Sequence, residues 1–282
     1  MRIFIAGATG VVGRNLAPLL LRAGHELVGA TRTEHGARAL AAMGVAPAQL
    51  DVLDAAATRV ALMRARPDAV MHQLTDLASA DLEANARLRI IGTRNLVDAA
   101  RAAGVRRIVA QSIAFAYAPG AGPATEETPL DTAAAGPRAR TVEGVAALEA
   151  AVRELPEALI LRYGLLYGPG TWYWPGGMQV EKIRADSFPA SAGVASFVHV
   201  EDAAAAAASA LAWPPGTLNI VDDEPAPGTQ WVPFLAKRFG GPAPGSGPAQ
   251  PWERGAANAK ARALGWKPRY SSWREGFMMM QP

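Results

Sequence analysis

The sequence predicts an α/β fold: a doubly wound parallel sheet joined to a small C-terminal substrate subdomain. Three observations carry this. Short apolar runs alternate with helical stretches through the first 165 residues, a glycine-rich turn joins the first run to the first helix, and the alternation stops after Tyr167 at GPGTWYWPGG. Parallel neighbours need crossover connections, and these are right-handed, so repeated strand–helix–strand units cover both faces of one sheet.

Taken in order, strands are expected at residues 2–6, 26–30, 49–52, 69–73, 107–111 and 159–163, each an apolar run bounded by Gly, Asp or Pro. The first helix places Val12, Leu16, Leu19 and Ala23 on one face. Ala86, Ile90, Thr93, Val97 and Ala100 do the same for a later helix. A further helix is expected from Glu201 through the alanine run 203–208, and the Pro- and Gly-rich stretch 240–251 reads as a surface loop. The expected division is a dinucleotide domain over 1–167, with 196–215 returning to it. The substrate subdomain takes 168–195 and 216–282, with a lid around 171–180.

Composition removes several function classes. The chain has 282 residues, half of them hydrophobic, enough for a large core. With no cysteine there is no disulfide framework and no Cys-based metal or redox site. The 28 Lys and Arg against 25 Asp and Glu are scattered, so no nucleic-acid partner is expected. No apolar run spans a bilayer, and MRIFIAGATG enters a strand at once, so the expectation is a cytoplasmic protein without a membrane partner. Histidines 25, 35, 72 and 199 lack metal spacing, and neither a G-x-S-x-G elbow nor a P-loop occurs. Oligomeric state is left open.

The chemistry begins at IFIAGATGVVGRN, which puts Gly7, Gly10 and Gly13 between a strand and a helix. Gly7 permits a tight turn, Gly10 lets backbone approach a pyrophosphate, and Gly13 lets helix pack on strand. Thr9, Val11 and Val12 complete the loop, and the helix N-terminus offers N–H groups to phosphate. This is a Rossmann-like dinucleotide site. At the end of the second strand ATRTE has Arg32 and no acid. With Arg14 it offers two guanidinium groups to a ribose 2′-phosphate, so the expected cofactor is NADP(H).

The spacing G-x-x-G-x-x-G, followed by IGTRNLVDAARAAGVRRIVAQS, LRYGLLYGPG, FVHVEDAAAA, GTLNIV and KARALGWKPR, resembles the extended branch of the short-chain dehydrogenase/reductase superfamily. These are sugar-nucleotide epimerases and dehydratases. The resemblance implies that Asp51 and Val52 flank the adenine and that Gln73 and Leu74 lie near the cofactor ribose. It also implies a Tyr-x-x-x-Lys pair and a Ser or Thr after the fifth strand. Here the chain departs from the family. Aligning Glu149 with the family's acidic residue puts Thr141 at the tyrosine position and Val145 at the lysine position. No register restores the pair, since no lysine occurs before Lys182. Ile113 falls where the family's hydroxyl lies, with Ser112 one residue off.

Ser112 and Thr141 are the catalytic candidates, with strand-end capping and helix initiation as their structural alternatives. The proton would come from water or from the substrate. Tyr117, Tyr167, Trp172, Tyr173, Trp174 and Met178 are the candidates for covering a small, flat aromatic substrate. An aromatic lid without the triad also resembles atypical short-chain ketoreductases that tailor aromatic polyketides, angucyclinones among them. The expected function is therefore NADPH-dependent reduction of a ketone on such a molecule. The alternatives are a cofactor-binding sensor or scaffold without chemistry, and a relative acting on sugar nucleotides, whose diphosphate fits an apolar cluster poorly.

Overall fold

The computed structural model describes residues 1–75 and 81–279. Its main sheet has seven strands in the order β10-β6-β5-β4-β1-β2-β3. These are β1 (Arg2–Ala6), β2 (Glu26–Thr31), β3 (Ala46–Gln49), β4 (Ala69–His72), β5 (Arg107–Ile113), β6 (Glu157–Tyr163) and β10 (Gly216–Ile220). The connecting helices are α1 (Val11–Arg22), α2 (Glu34–Ala42), α3 (Ala55–Ala65), α4 (Leu82–Arg87), α5 (Thr93–Ala102), α6 (Gly136–Val152) and α8 (Val200–Ser209). The remaining elements are β7 (Leu165–Tyr167), α7 (Met178–Arg184), β8 (Val194–Ala195), β9 (Phe197–His199), β11 (Ala226–Pro227), α9 (Gly228–Phe239), α10 (Ala259–Ala263) and α11 (Trp273–Met279). The sheet is parallel and flanked by helices, as the alternation predicts.

The third strand lies earlier than expected, at 46–49 instead of 49–52. β2 pairs with it from Val28↔Ala46 to Thr31↔Gln49, which uses up its length. Pro47 is tolerated because this strand is the sheet's edge. Residues 50–52 are thereby released into the loop that follows. The helix predicted through Ala86 and Ala100 is also interrupted: Leu88–Gly92 forms a single π-helical turn between α4 and α5. Such turns are uncommon and concentrate at functional sites.

The chain divides into two compact units. Unit 1 is Met1–Ser112, Thr132–Leu161 and Ala204–Thr217. One of its cores joins Phe4, Val70, Ile108 and Ile160 from the sheet to Leu62, Leu96, Val97 and Leu148 from α3, α5 and α6. Unit 2 is Ile113–Asp131, Arg162–Ala203 and Leu218–Pro282. Compared with the expected boundaries, 113–131, 162–167 and 196–203 move to the second unit and 216–217 to the first. A parallel pair β7–β9 and an antiparallel pair β8–β11 support an aromatic core of Tyr167, Tyr173, Phe197, Trp231, Trp273 and Phe277. Among the described residues no helix is long and apolar enough to cross a membrane.

Candidate functional site

The glycine loop folds as its spacing requires. Gly7 adopts φ +89°, and a Cβ on it would lie 2.4 Å from the Gln73 carbonyl oxygen. A Cβ on Gly13 would lie 2.1 Å from the Gly7 oxygen, so the first turn of α1 rests on the loop itself. Gly10 caps α1 without a side-chain hydrogen bond, and the first turn holds no acid. The N-terminal amides of Val11, Val12 and Gly13 therefore face no competing carboxylate, and the macrodipole favours an anion there. A dinucleotide pyrophosphate fits this cradle. Thr9 belongs to the turn, and Arg14 is exposed on the first turn of α1.

Two neighbouring loops are fixed from below. Asp51 Oδ1 accepts the Leu53 amide at 3.0 Å, and Val52 is buried. Asn95 of α5 donates to the carbonyls of Val52 and Leu53 at 2.9 and 3.1 Å, which holds this strand-to-helix loop against the α5 face. After β4, the Leu74 amide donates to His72 Nδ1 at 3.3 Å, while His72 Nε2 pairs with Thr93 Oγ1 at 2.7 Å. An accepting Nδ1 assigns the proton to Nε2. Complete burial holds the imidazole neutral, lowering its pKa to about 4. His72 is thus a strand residue that sets the Gln73–Leu74 backbone beside Gly7. Arg32 is exposed between the end of β2 and Thr33, whose hydroxyl caps α2 by accepting the Gly36 amide at 3.0 Å.

The α6 face answers the missing-acid question structurally. Val145 is buried, where a family lysine would have to keep its ammonium reachable. Thr141 does not start the helix. α6 begins five residues earlier at Gly136, where Pro137 occupies the first turn without wasting an amide. Ser112 is the last residue but one of β5, which runs to Ile113, and its hydroxyl caps no backbone group among the described residues. Its hydroxyl is buried and donates to Glu149 Oε1 at 2.7 Å, and Arg153 donates to Glu149 Oε2 at 2.8 Å. Glu149 is itself fully buried. Ser112 and Arg153 together supply the partners that a buried carboxylate requires.

The substrate candidates separate. Tyr117 is buried, donates to Asn219 Oδ1 at 2.5 Å and lies under Arg162, whose guanidinium carbon is 4.7 Å from the ring centroid. Tyr167 stacks on Phe277 at 4.5 Å inside the aromatic core. Trp172 and Trp174 pack half-buried against that core, and Met178 begins α7. The residues of the expected lid, 171–180, form a turn that leads into α7, and Tyr173 within it meets Phe197 and Trp231 edge to face at 5.5 and 6.0 Å. Only Tyr173 of the six lines the cavity of unit 2, which has a volume of about 510 Å³. Its other walls include Phe188, Trp231 and Trp252, with Lys182 and Glu253 as the charged groups. Sequence reasoning missed these residues, since the spacing around Trp231 marks only the buried face of α9. The volume suits one drug-sized molecule.

Known proteins agree with this geometry. Residues 3–220 match the NAD dependent epimerase/dehydratase family. A Streptomyces protein, 3-diazoavenalumate denitrifying reductase, is 45% identical and aligns over 98% of this chain and 99% of its own length. The Thermus thermophilus UDP-glucose 4-epimerase, solved in complex with NAD, superposes with a TM-score of 0.76 at 25% identity, covering 98% of this chain and 96% of that one. The Thermotoga maritima UDP-glucose 4-epimerase gives a TM-score of 0.78 at 20% identity, over 98% and 96%, which speaks to the fold. With a glycine cradle shaped for a dinucleotide and a match over most of its length, the chain belongs to the NAD dependent epimerase/dehydratase family and is a nicotinamide-dependent oxidoreductase of the extended short-chain dehydrogenase/reductase type.

Proposed function

We propose that the protein uses NADPH to reduce a flat aromatic carboxylate, and that the group reduced is an aryl diazonium, lost as dinitrogen. The observation that carries this reading is the α6 face, which offers Thr141 and a buried Val145 where a proton donor and its lysine would stand. When bound, a reduced nicotinamide supplies one hydride, which replaces the diazonium group: a C–H bond forms, the C–N bond breaks, and dinitrogen departs without consuming a proton. No alkoxide develops, so no acid is needed. The name of the Streptomyces relative supports the substrate class, being that of a diazo carboxylate. The cavity of unit 2 supports it too, since its aromatic walls suit an aryl ring and Lys182 suits a carboxylate.

The same face also favours a second reading, reduction of a ketone on a polyketide-like aromatic whose neighbouring phenol supplies the proton. One experiment separates the two. Purified protein is given 4-deuterated NADPH with either a ¹⁵N-labelled aryl diazonium carboxylate or a hydroxyaryl ketone, each against a protein-free control. The diazonium reading expects labelled dinitrogen above the control and deuterium on the ring. Alcohol from the ketone with no enzymatic dinitrogen would reverse the order. Binding of cofactor with neither product would leave a protein that has lost its chemistry.

Both reductive readings expect Ser112→Ala and Thr141→Ala to keep turnover within about threefold, whereas loss of a general acid typically costs about 10²–10⁴-fold. Steady-state rates and a pH–rate profile check this, and a collapse of turnover with binding intact would restore a protein acid. For the cofactor, Arg32→Ala is expected to weaken NADPH binding by about tenfold or more while leaving NADH within about twofold, because a charge-assisted hydrogen bond to the 2′-phosphate is lost. Titration of both dinucleotides decides the preference.

A further inference from the structure

Arg89 is a buried cation with no visible purpose in the fold. It lies in the π-helical turn Leu88–Gly92 and is 7% exposed. Among the described residues its guanidinium has no hydrogen-bond acceptor and no acidic partner, and burial alone lowers its pKa to about 10. Removing an unpaired charge from water is costly in a protein, so such a group is retained where something else supplies the counter-charge.

Its surroundings say where that is. A Cβ on Gly144 would come within 3.4 Å of Arg89 Cδ and 3.2 Å of Ala86 Cα, so α6 approaches the π turn closely because position 144 has no side chain. Gly144 shares its stretch of helix with Thr141 and Val145, three residues before and one after. On its other side Arg89 acts electrostatically on His72, the last residue of β4. His72 is paired with Ala6, the last residue of β1 before the glycine loop. Ligands of open α/β sheets bind beyond the carboxyl ends of the strands. The sheet order places β4 on one side of β1 and β2 on the other. A dinucleotide whose pyrophosphate sits on α1 therefore sends one half toward β2 and Arg32 and the other toward β4 and Arg89.

We propose that Arg89 holds the nicotinamide half of the bound dinucleotide, donating to its ribose and phosphate oxygens from the π turn. It supplies the cation that α6 lacks at Val145. This rests on the chain binding a nicotinamide dinucleotide and is independent of which substrate is reduced.

The test is equilibrium binding to the full-length apoprotein by calorimetry, with NADPH, NADH and the adenine-half fragment 2′,5′-ADP, for the parent, Arg89→Met and Arg89→Lys. Arg89→Met is expected to weaken the whole dinucleotides about tenfold or more, and Arg89→Lys to recover most of that. Binding of 2′,5′-ADP should be unchanged in both. The melting temperature of apo Arg89→Met should be equal to or above that of the parent, because an uncompensated charge has been removed. Unchanged dinucleotide affinity, or an equal loss for 2′,5′-ADP, would overturn the assignment and leave Arg89 a structural residue. A parent protein that binds no dinucleotide would defeat the cofactor reading and this one with it.

Discussion

Gly13→Ala is expected to abolish dinucleotide binding and to lower the melting temperature sharply. The added methyl would stand 2.1 Å from the Gly7 oxygen and 2.8 Å from the Ala8 carbonyl carbon, distances at which atoms overlap. Both obstacles are backbone, so no rotamer change relieves the clash. The first turn of α1 must lift away from the loop, and the amides of Val11 and Val12 lose their common aim. Gly24→Ala is the control, since nothing lies within 4 Å of its Cβ and only its φ of +81° opposes the change. That variant should cost about 1 kcal/mol of stability and leave binding intact. Dinucleotide titration and thermal melts of both variants check this. Binding by Gly13→Ala within about threefold of the parent would contradict the packing argument.

Asp222→Asn is expected to stabilise the protein at pH 8 and to change it far less at pH 5. Asp222 is 2% exposed, its Oδ1 accepts the Glu224 amide at 3.3 Å, and its Oδ2 has no hydrogen-bond partner among the described residues. Burial is the first cause that raises its pKa from 3.8 to about 8. The folded state therefore keeps the proton where the unfolded chain has released it. The stability this brings is complete below about pH 4, declines as pH rises, and is gone above about pH 8. An asparagine cannot ionise and escapes the decline, so the gap in melting temperature between variant and parent should widen across that window. A gap that stays constant from pH 5 to pH 8 would show that Asp222 does not titrate there.

The fold was readable wherever local pattern and tertiary packing agree. β1, the glycine turn and α1 were found because strand period, turn chemistry and helix period all point to one answer there. The third strand was displaced because an edge strand of four residues carrying a proline has no pattern of its own, and its register comes from β2. Aromatic content drew the lid assignment to Trp172–Trp174, yet a single sequence cannot tell an aromatic that faces a ligand from one that faces Phe197. Arg89 was missed for the opposite reason. Three residues after Ala86 and four before Thr93 it falls on the helix's apolar face, and its charge alone kept it from being read as an inward-facing residue. Glu149 was noticed as a marker of alignment, but its hydrogen bond to Ser112 spans 37 positions and leaves no local trace.

The segmentation of the chain constrains its synthesis. The polypeptide leaves one unit for the other after residues 112, 131, 161, 203 and 217, so neither unit is a contiguous stretch. A ribosome delivering the chain from its N-terminus cannot finish unit 1 until residues 204–217 have emerged, by which time much of unit 2 is already exposed. Contacts that close only across such separations are slow to form and exposed to misassembly meanwhile. No truncation yields unit 1 free of segments of unit 2, and a nick after residue 131, 161 or 203 divides both units between the two fragments. Fusion partners and affinity tags accordingly belong at the termini, while a circularly permuted version would shift which unit waits for its last segment.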